Sequence, residues 1–349
     1  ADNRAAQVMT WANRARPPKR CNTLGRVLFI RVPLPAAMMT TSTGVAMKFP
    51  LEGGWFKRAR LRAGSRQIIG LLAVLFTGLL LQACSAMKLA YNQAPDLAYW
   101  YLDAYVDFSP SQRPQVKDAL DNLHTWHRQT QLPGTIHTLQ KLRAQMPGDI
   151  DAQQACTVYA DVRRQLLAIP AQAEPAVVAL VGQLSPGQLA HMERRFTKRD
   201  AEFRADFIDA TPQKSRAERN KKAVERAEKL YGRLDAAQLA VIHQRVDVSS
   251  FNARQTYAER LRRQQDILHT LRPLVAQQAP AAAVQAAVHA LWQRTVVSPD
   301  PGHRAYMEKL EQEACITFAA LHNSTTPAQR REAVDTLGRY EQDFRALGS

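Results

Sequence analysis

Leu184-Ser185-Pro186-Gly187-Gln188-Leu189, with Met192, Phe196, Phe203 and Phe207 behind it, carries a helix start and its apolar face in one stretch. Ser185 is followed three residues later by Gln188, the spacing of a capping box. In that device the serine oxygen takes a hydrogen bond from the third helical amide, and the glutamine reaches back to the amide of the cap. Pro186 stands at the first helical position, where its missing N–H would have had no intrahelical partner anyway. The apolar residues then recur at threes, fours and a seven, one stripe of an amphipathic helix whose natural partner is a core.

Three more boxes of this kind punctuate the chain: Ser109-Pro110-Ser111-Gln112, Asp235-Ala236-Ala237-Gln238 and Thr326-Pro327-Ala328-Gln329. Their uneven separations exclude a strict repeat array. Helical stripes recur in Tyr257, Leu261, Leu268 and Leu271 and in Met307, Leu310, Ala314, Phe318 and Leu321. After Cys84 there are only eight glycines, and neither sustained period-two alternation nor hairpin dipeptides occur. The expectation is an all-α fold, a bundle or layered stack of roughly nine to eleven helices, with boundaries near Pro110, Pro133, Pro170, Pro186, Pro212, Pro273, Pro280 and Pro327.

Upstream, Ile68 to Leu81 forms an apolar run of 14 residues behind Lys57, Arg58, Arg60, Arg62 and Arg66. That length suits an export signal and falls short of the roughly 18 to 20 residues that span a bilayer. The run ends in Leu81-Gln82-Ala83-Cys84, which resembles the lipobox of bacterial lipoproteins. The resemblance implies cleavage before Cys84, a diacylglyceryl group on its sulfur and an N-acyl group, enough acyl chain for lasting membrane anchorage. With Ser85 rather than aspartate next, it further implies the outer membrane with a periplasm-facing body. The alternatives are an ordinary signal with a chance cysteine or a short anchor reaching Met87.

This divides the chain into residues 1–46, an upstream extension or a disordered basic arm; 47–83, the lipoprotein signal; and 84–349, a periplasmic helical domain. Residues 1–83 hold 13 of the 47 basic and 2 of the 31 acidic residues, so the mature part keeps 34 against 29, a net of +5 instead of +16. Such a balance in that compartment argues against nucleic acid as a partner.

The boxes resemble, over short windows, the Leu-Thr-x-x-Gln motif of the periplasmic stress chaperones Spy and CpxP. A longer resemblance runs from Cys84 through Tyr91-Asn92 to Tyr99-Trp100-Tyr101-Leu102-Asp103-Ala104-Tyr105-Val106-Asp107-Phe108, and on to Lys229-Leu230-Tyr231-Gly232-Arg233-Leu234. That pattern is similar to an uncharacterised family of proteobacterial lipoproteins, which implies a helical fold and outer-membrane attachment without an activity.

Four groups of residues are candidates for contact or chemistry. Tyr99, Trp100 and Tyr101, close after the anchor, either rest on the membrane or form the buried face of a helix. Between Arg194 and Arg263 there are 18 basic and 10 acidic residues, among them Arg194, Arg195, Lys198, Arg199, Lys221 and Lys222. This band either meets an anionic envelope component or protein partner, or is a solvated face with four-apart pairs such as Asp200–Arg204, Glu218–Lys222 and Glu225–Lys229. Asp121, His124 and His127 share a helix face but lack the second carboxylate-x-x-His of a helical metal centre, so neither metal nor cofactor is expected. Cys156 and Cys315 remain after lipidation, either bridged in an oxidising compartment or buried as thiols. No catalytic constellation assembles, and the expected function is a non-enzymatic binding or scaffold protein, with a chaperone-like role for unfolded clients as the alternative.

Overall fold

Each apolar stripe becomes a helix in the computed structural model, which describes residues 85–348. The expectations for residues 1–46, for the 47–83 signal with Leu81, Gln82 and Ala83, and for Cys84 lie outside the described residues. The order is α1 (Ser85–Asn92), α2 (Ala94–Val106), α3 (Gln112–Trp126), a π-turn (His127–Gln131), α4 (Leu132–Gln145) and α5 (Ala152–Val181). Then follow α6 (Pro186–Phe203), a second π-turn (Arg204–Ile208), α7 (Pro212–Tyr231) and α8 (Ala236–Asp247). The chain closes with α9 (Ala253–Ala276), α10 (Ala281–Val296), α11 (Pro301–Asn323) and α12 (Pro327–Gly348). No strand occurs among the described residues, and the twelve α-helices pack together there, α3, its π-turn and α4 running on as one rod. The fold is all-α.

The spine is α5, whose 30 residues extend about 45 Å at 1.5 Å each. Its N-terminal half lies against α11, to which it is joined by Cys156–Cys315, and against α4, through Lys141–Asp161. Its C-terminal half carries Val177, Val178 and Val181 against Val284 and Val288 of α10. Around the spine, helices group into two quartets with the same pattern of neighbours. In the first, α2 packs on α3 and α6 while α3 packs on α5; in the second, α7 packs on α8 and α12 while α8 packs on α11. The first quartet buries Tyr99, Tyr105, Val106, Phe108, Val116, Met192 and Phe196 together with Leu268 of α9. Burial in the second includes Tyr231, Ile242, Leu321, Ala333 and Leu337.

Two expected proline boundaries are not boundaries: Pro170 lies inside α5 together with Pro175, and Pro273 lies inside α9, whereas Pro133 stands in the first turn of α4, where the π-turn gives way to α-helix within the continuous rod. Each internal proline removes one helical N–H donor, but α5 is held on both sides of Pro170 and Pro175 by tertiary packing, so the helix continues through them. The α6 stripe holds through Leu189, Met192, Phe196 and Phe203. The π-turn then adds a residue to the last turn, and Phe207 is half-buried, its ring 4.9 Å from that of Phe203.

Candidate functional site

The capping boxes close on one another in pairs. Gln112 Oε1 accepts from the Ser109 amide (3.0 Å), and Gln188 Oε1 from the Ser185 amide (3.0 Å), so each amide first completes its own box. Gln188 Nε2 then donates to Gln112 Oε1 (2.7 Å) and to Asp107 O (3.1 Å), while Gln112 Nε2 donates to Gln183 O (2.8 Å) and Gln188 Oε1 (3.4 Å). The second quartet repeats the arrangement. Gln238 Nε2 donates to Gln329 Oε1 (2.7 Å) and Ser324 O (3.1 Å); Gln329 Nε2 donates to Gln238 Oε1 (2.9 Å) and Arg233 O (3.0 Å). Every donor and acceptor of each glutamine is occupied, which is what a buried amide requires. One clasp thereby ties the ends of two helices to the starts of two others. An open cleft beside the first clasp is lined by Asp107, Ser109, Gly187, His191 and Arg194.

Directly after Cys84, α1 is held to the body by polar contacts. Lys88 Nζ lies 3.8 Å from Asp343 on α12, Tyr91 Oη is hydrogen-bonded to His127 Nδ1 (2.9 Å), and Arg128 donates to Asn92 Oδ1 (2.8 Å). The Tyr91 ring lies 4.6 Å from the His124 ring, with the Arg128 guanidinium 5.7 Å from its centre. His124 and His127, expected at most as metal-like spacing, therefore bracket a tyrosine. Burial lowers both imidazole pKa values, with Arg128 adding to the effect on His124 and His124 to that on His127. No group of three or more metal-ligating side chains occurs among the described residues.

The structure packs the aromatic segment of α2 against the start of the basic band on α6. Tyr99 is buried, with Lys117 Nζ of α3 5.0 Å from its ring centre; Tyr101 is half-buried with its ring 5.1 Å from Tyr105; Trp100 points outward and is 69% exposed. The core reading of this segment thus holds for Tyr99, and Trp100 lies outside the core. On the neighbouring α6, Arg195 covers the Tyr105 ring at 5.5 Å, His191 Nε2 contacts Ala104 O at 3.2 Å, and Arg199 bonds Glu202 at 2.6 Å. Arg194 and Lys198 are exposed beside them. Lys221 is exposed on α7, whereas Lys222 lies 5.6 Å from the centre of the Phe207 ring.

Much of the remaining band is structural. Asp200, expected to pair with Arg204 four residues on, is buried and bonds Arg260 and Gln264 of α9 instead, while Arg204 pairs with Asp209. The reason is rotational position: Asp200 lies on the buried side of α6, where a charge needs a buried partner. Glu259 is likewise buried, bonded by Arg262 and Arg263 and by Ser298 Oγ. Burial pushes its carboxyl up, but the two guanidiniums more than reverse this and hold it at about 2. Asp200 could not be singled out from spacing alone, since it answers to a helix distant in sequence, whereas Glu259 pairs with Arg262 and Arg263 three and four residues on in its own helix. Cys156 and Cys315 are bonded, across 159 residues, with Cα atoms 5.3 Å apart.

No curated protein and no solved structure matches this chain. One family model does, described as "Family of unknown function (DUF6279)", over residues 104–296. That span runs from the last turn of α2 to the end of α10 and takes in the first clasp, both π-turns and the basic band. Covering more than half of the sequence, it shows the family: the chain belongs to the DUF6279 family of unknown function.

Proposed function

We propose that this protein is an outer-membrane lipoprotein whose helical body faces the periplasm and acts as a non-enzymatic scaffold for an envelope partner. The observation that carries the reading is how soon after Cys84 the chain is fastened to the body. The chain is already helical at Ser85, the first described residue, and Lys88, Tyr91 and Asn92 fasten α1 to the body within two turns. Acyl groups on Cys84 would therefore hold the body close to the bilayer in a defined orientation, as a scaffold needs, and not on a flexible tether. The test has two parts. Palmitate labelling that disappears in Cys84→Ala checks the anchor. Crosslinking in intact cells, followed by identification of the captured proteins, checks the scaffold; capture of no protein above a Cys84→Ala control would discard it.

A chaperone-like role is the competing reading, favoured by the likeness of the paired boxes to the Leu-Thr-x-x-Gln motif. The glutamines bond each other and the helix ends, so the likeness supports a shared folding device more directly than a client site. Suppression of aggregation of an unfolded client by Cys84→Ala protein would favour it over the scaffold.

A further inference from the structure

The rod formed by α1 and α2 presents an outward line of side chains. Gln93 N donates to Leu89 O and Leu97 N to Gln93 O, both at 3.0 Å, so the helical path runs almost unbroken through the join. Leu89 and Trp100 are 11 residues apart, three turns, which returns them to the same side of the rod. They are two of the four large hydrophobic residues that are strongly exposed among the described residues, at 62% and 69%. Gln93 and Asp96 complete the line between them. Cations stand on the two helices packed against α2: Lys117 on α3, its Nζ 5.0 Å from the ring centre of Tyr99 next to Trp100, and Arg194 and Lys198 on α6, all three exposed. An outward tryptophan with lysine and arginine beside it is the composition that settles at a lipid headgroup layer, the ring among the glycerol groups and the cations on phosphate.

We infer that this face, Leu89 and Trp100 with Lys117, Arg194 and Lys198, seats the body on an anionic bilayer, the rod lying in the membrane plane. The occupant follows from where the chain outside the described residues ends: its apolar run stops at Leu81 and Cys84 adjoins α1. Any membrane attachment there delivers the start of the rod to the bilayer. The inference rests on the anchoring reading above and adds an orientation to it. A rod standing upright would carry Trp100 about 22 Å from Ser85 along the axis, out of reach of lipid; a rod lying flat places it in the headgroups.

The test compares the protein, purified from membranes of cells expressing the full chain, with its Trp100→Ala variant. Both are reconstituted into phosphatidylcholine vesicles with and without phosphatidylglycerol, using brominated lipids as quenchers. Trp100 lies outside the core, so the variant folds, and the difference signal reports Trp100 alone. The expected result is a several-fold quenching of that signal in the anionic vesicles, reduced at least twofold by Arg194→Glu with Lys198→Glu and by high salt. An unquenched Trp100 on protein that stays with the vesicles overturns the seating while leaving the anchor intact. If Cys84 carries no lipid, the vesicles are added to the protein: quenching then discards the anchor and keeps the face, and no quenching discards both.

Discussion

Gln188 shows most directly what one residue does in this fold. Its amide caps α6, takes Gln112 as partner and ties off the Asp107 carbonyl, so Gln188→Leu removes hydrogen bonds from the Ser185 amide, the Gln112 side chain and the Asp107 carbonyl at once. The expected cost is about 2–4 kcal/mol in denaturant unfolding. A double-mutant cycle with Gln112→Leu should return a coupling of about 1–3 kcal/mol, and additivity would refute the clasp. His322 is the other decisive residue. Fully buried, it donates from Nε2 to Gly148 O (2.8 Å) and so accepts from the Tyr231 hydroxyl at Nδ1 (3.0 Å). Burial depresses its pKa below 6.5, partly opposed by the Gly148 carbonyl, so the unfolded chain protonates first. The contribution to stability is complete above 6.5 and is lost as the pH falls through the lowered value. His322→Leu should flatten the loss of stability on acidification below pH 6.5 and lower the plateau by about 2–4 kcal/mol. Glu259 acts further down: its depressed carboxyl adds stability above about 4.5 that disappears as the pH falls toward about 2.

Among the elements, α1 carries the sharpest expectation, because polar contacts and not a deep core hold it. Tyr91→Phe with Arg128→Ala removes the hydrogen bonds to His127 and Asn92 and leaves the two quartets untouched. Amide exchange within α1 should accelerate about tenfold or more, with little change in the global melting temperature. Unchanged exchange in α1 would show that the scaffold reading has misplaced the link between anchor and body. The element starts are also where sequence reading succeeds: Ser185, Asp235 and Thr326 begin helices through the hydrogen bonds their spacing implies, while the Ser109 box closes on Gln112 just ahead of α3, whose cap residue is Ser111. Interiors are harder. Pro170 and Pro175 carry a strong local stop signal, yet α5 passes through both because its two halves are fixed by different neighbours.

Across the whole molecule, the Cys156–Cys315 bond ties the N-terminal half of α5 to α11 over 159 residues. In the chain-entropy model such a loop contributes about 5 kcal/mol. Reduction, or Cys156→Ala with Cys315→Ala, should lower the melting temperature by on the order of 10 °C; an unchanged melting curve would mean the bond forms no constraint on the unfolded chain. The spine gives a second molecular expectation. Between Val162 and Val181 no side chain of α5 is fully buried, although its ends are. Exchange at the middle of α5 should therefore outpace exchange at its ends, most of all around Pro170 and Pro175.

Local chemistry alone determines much of this protein. Capping boxes, proline at first helical positions and stripes at helical spacing specify an all-helical chain and the places where four helices begin, because each signal acts within a turn or two of backbone. What only the tertiary structure decides is which box meets which. Gln112 finds Gln188, Gln238 finds Gln329, Asp200 turns from Arg204 to Arg260, and Trp100 is left facing outward beside neighbours that become core. Those outcomes depend on the packing of helices remote in sequence, where burial makes a polar group seek whichever partner the fold brings within hydrogen-bond reach.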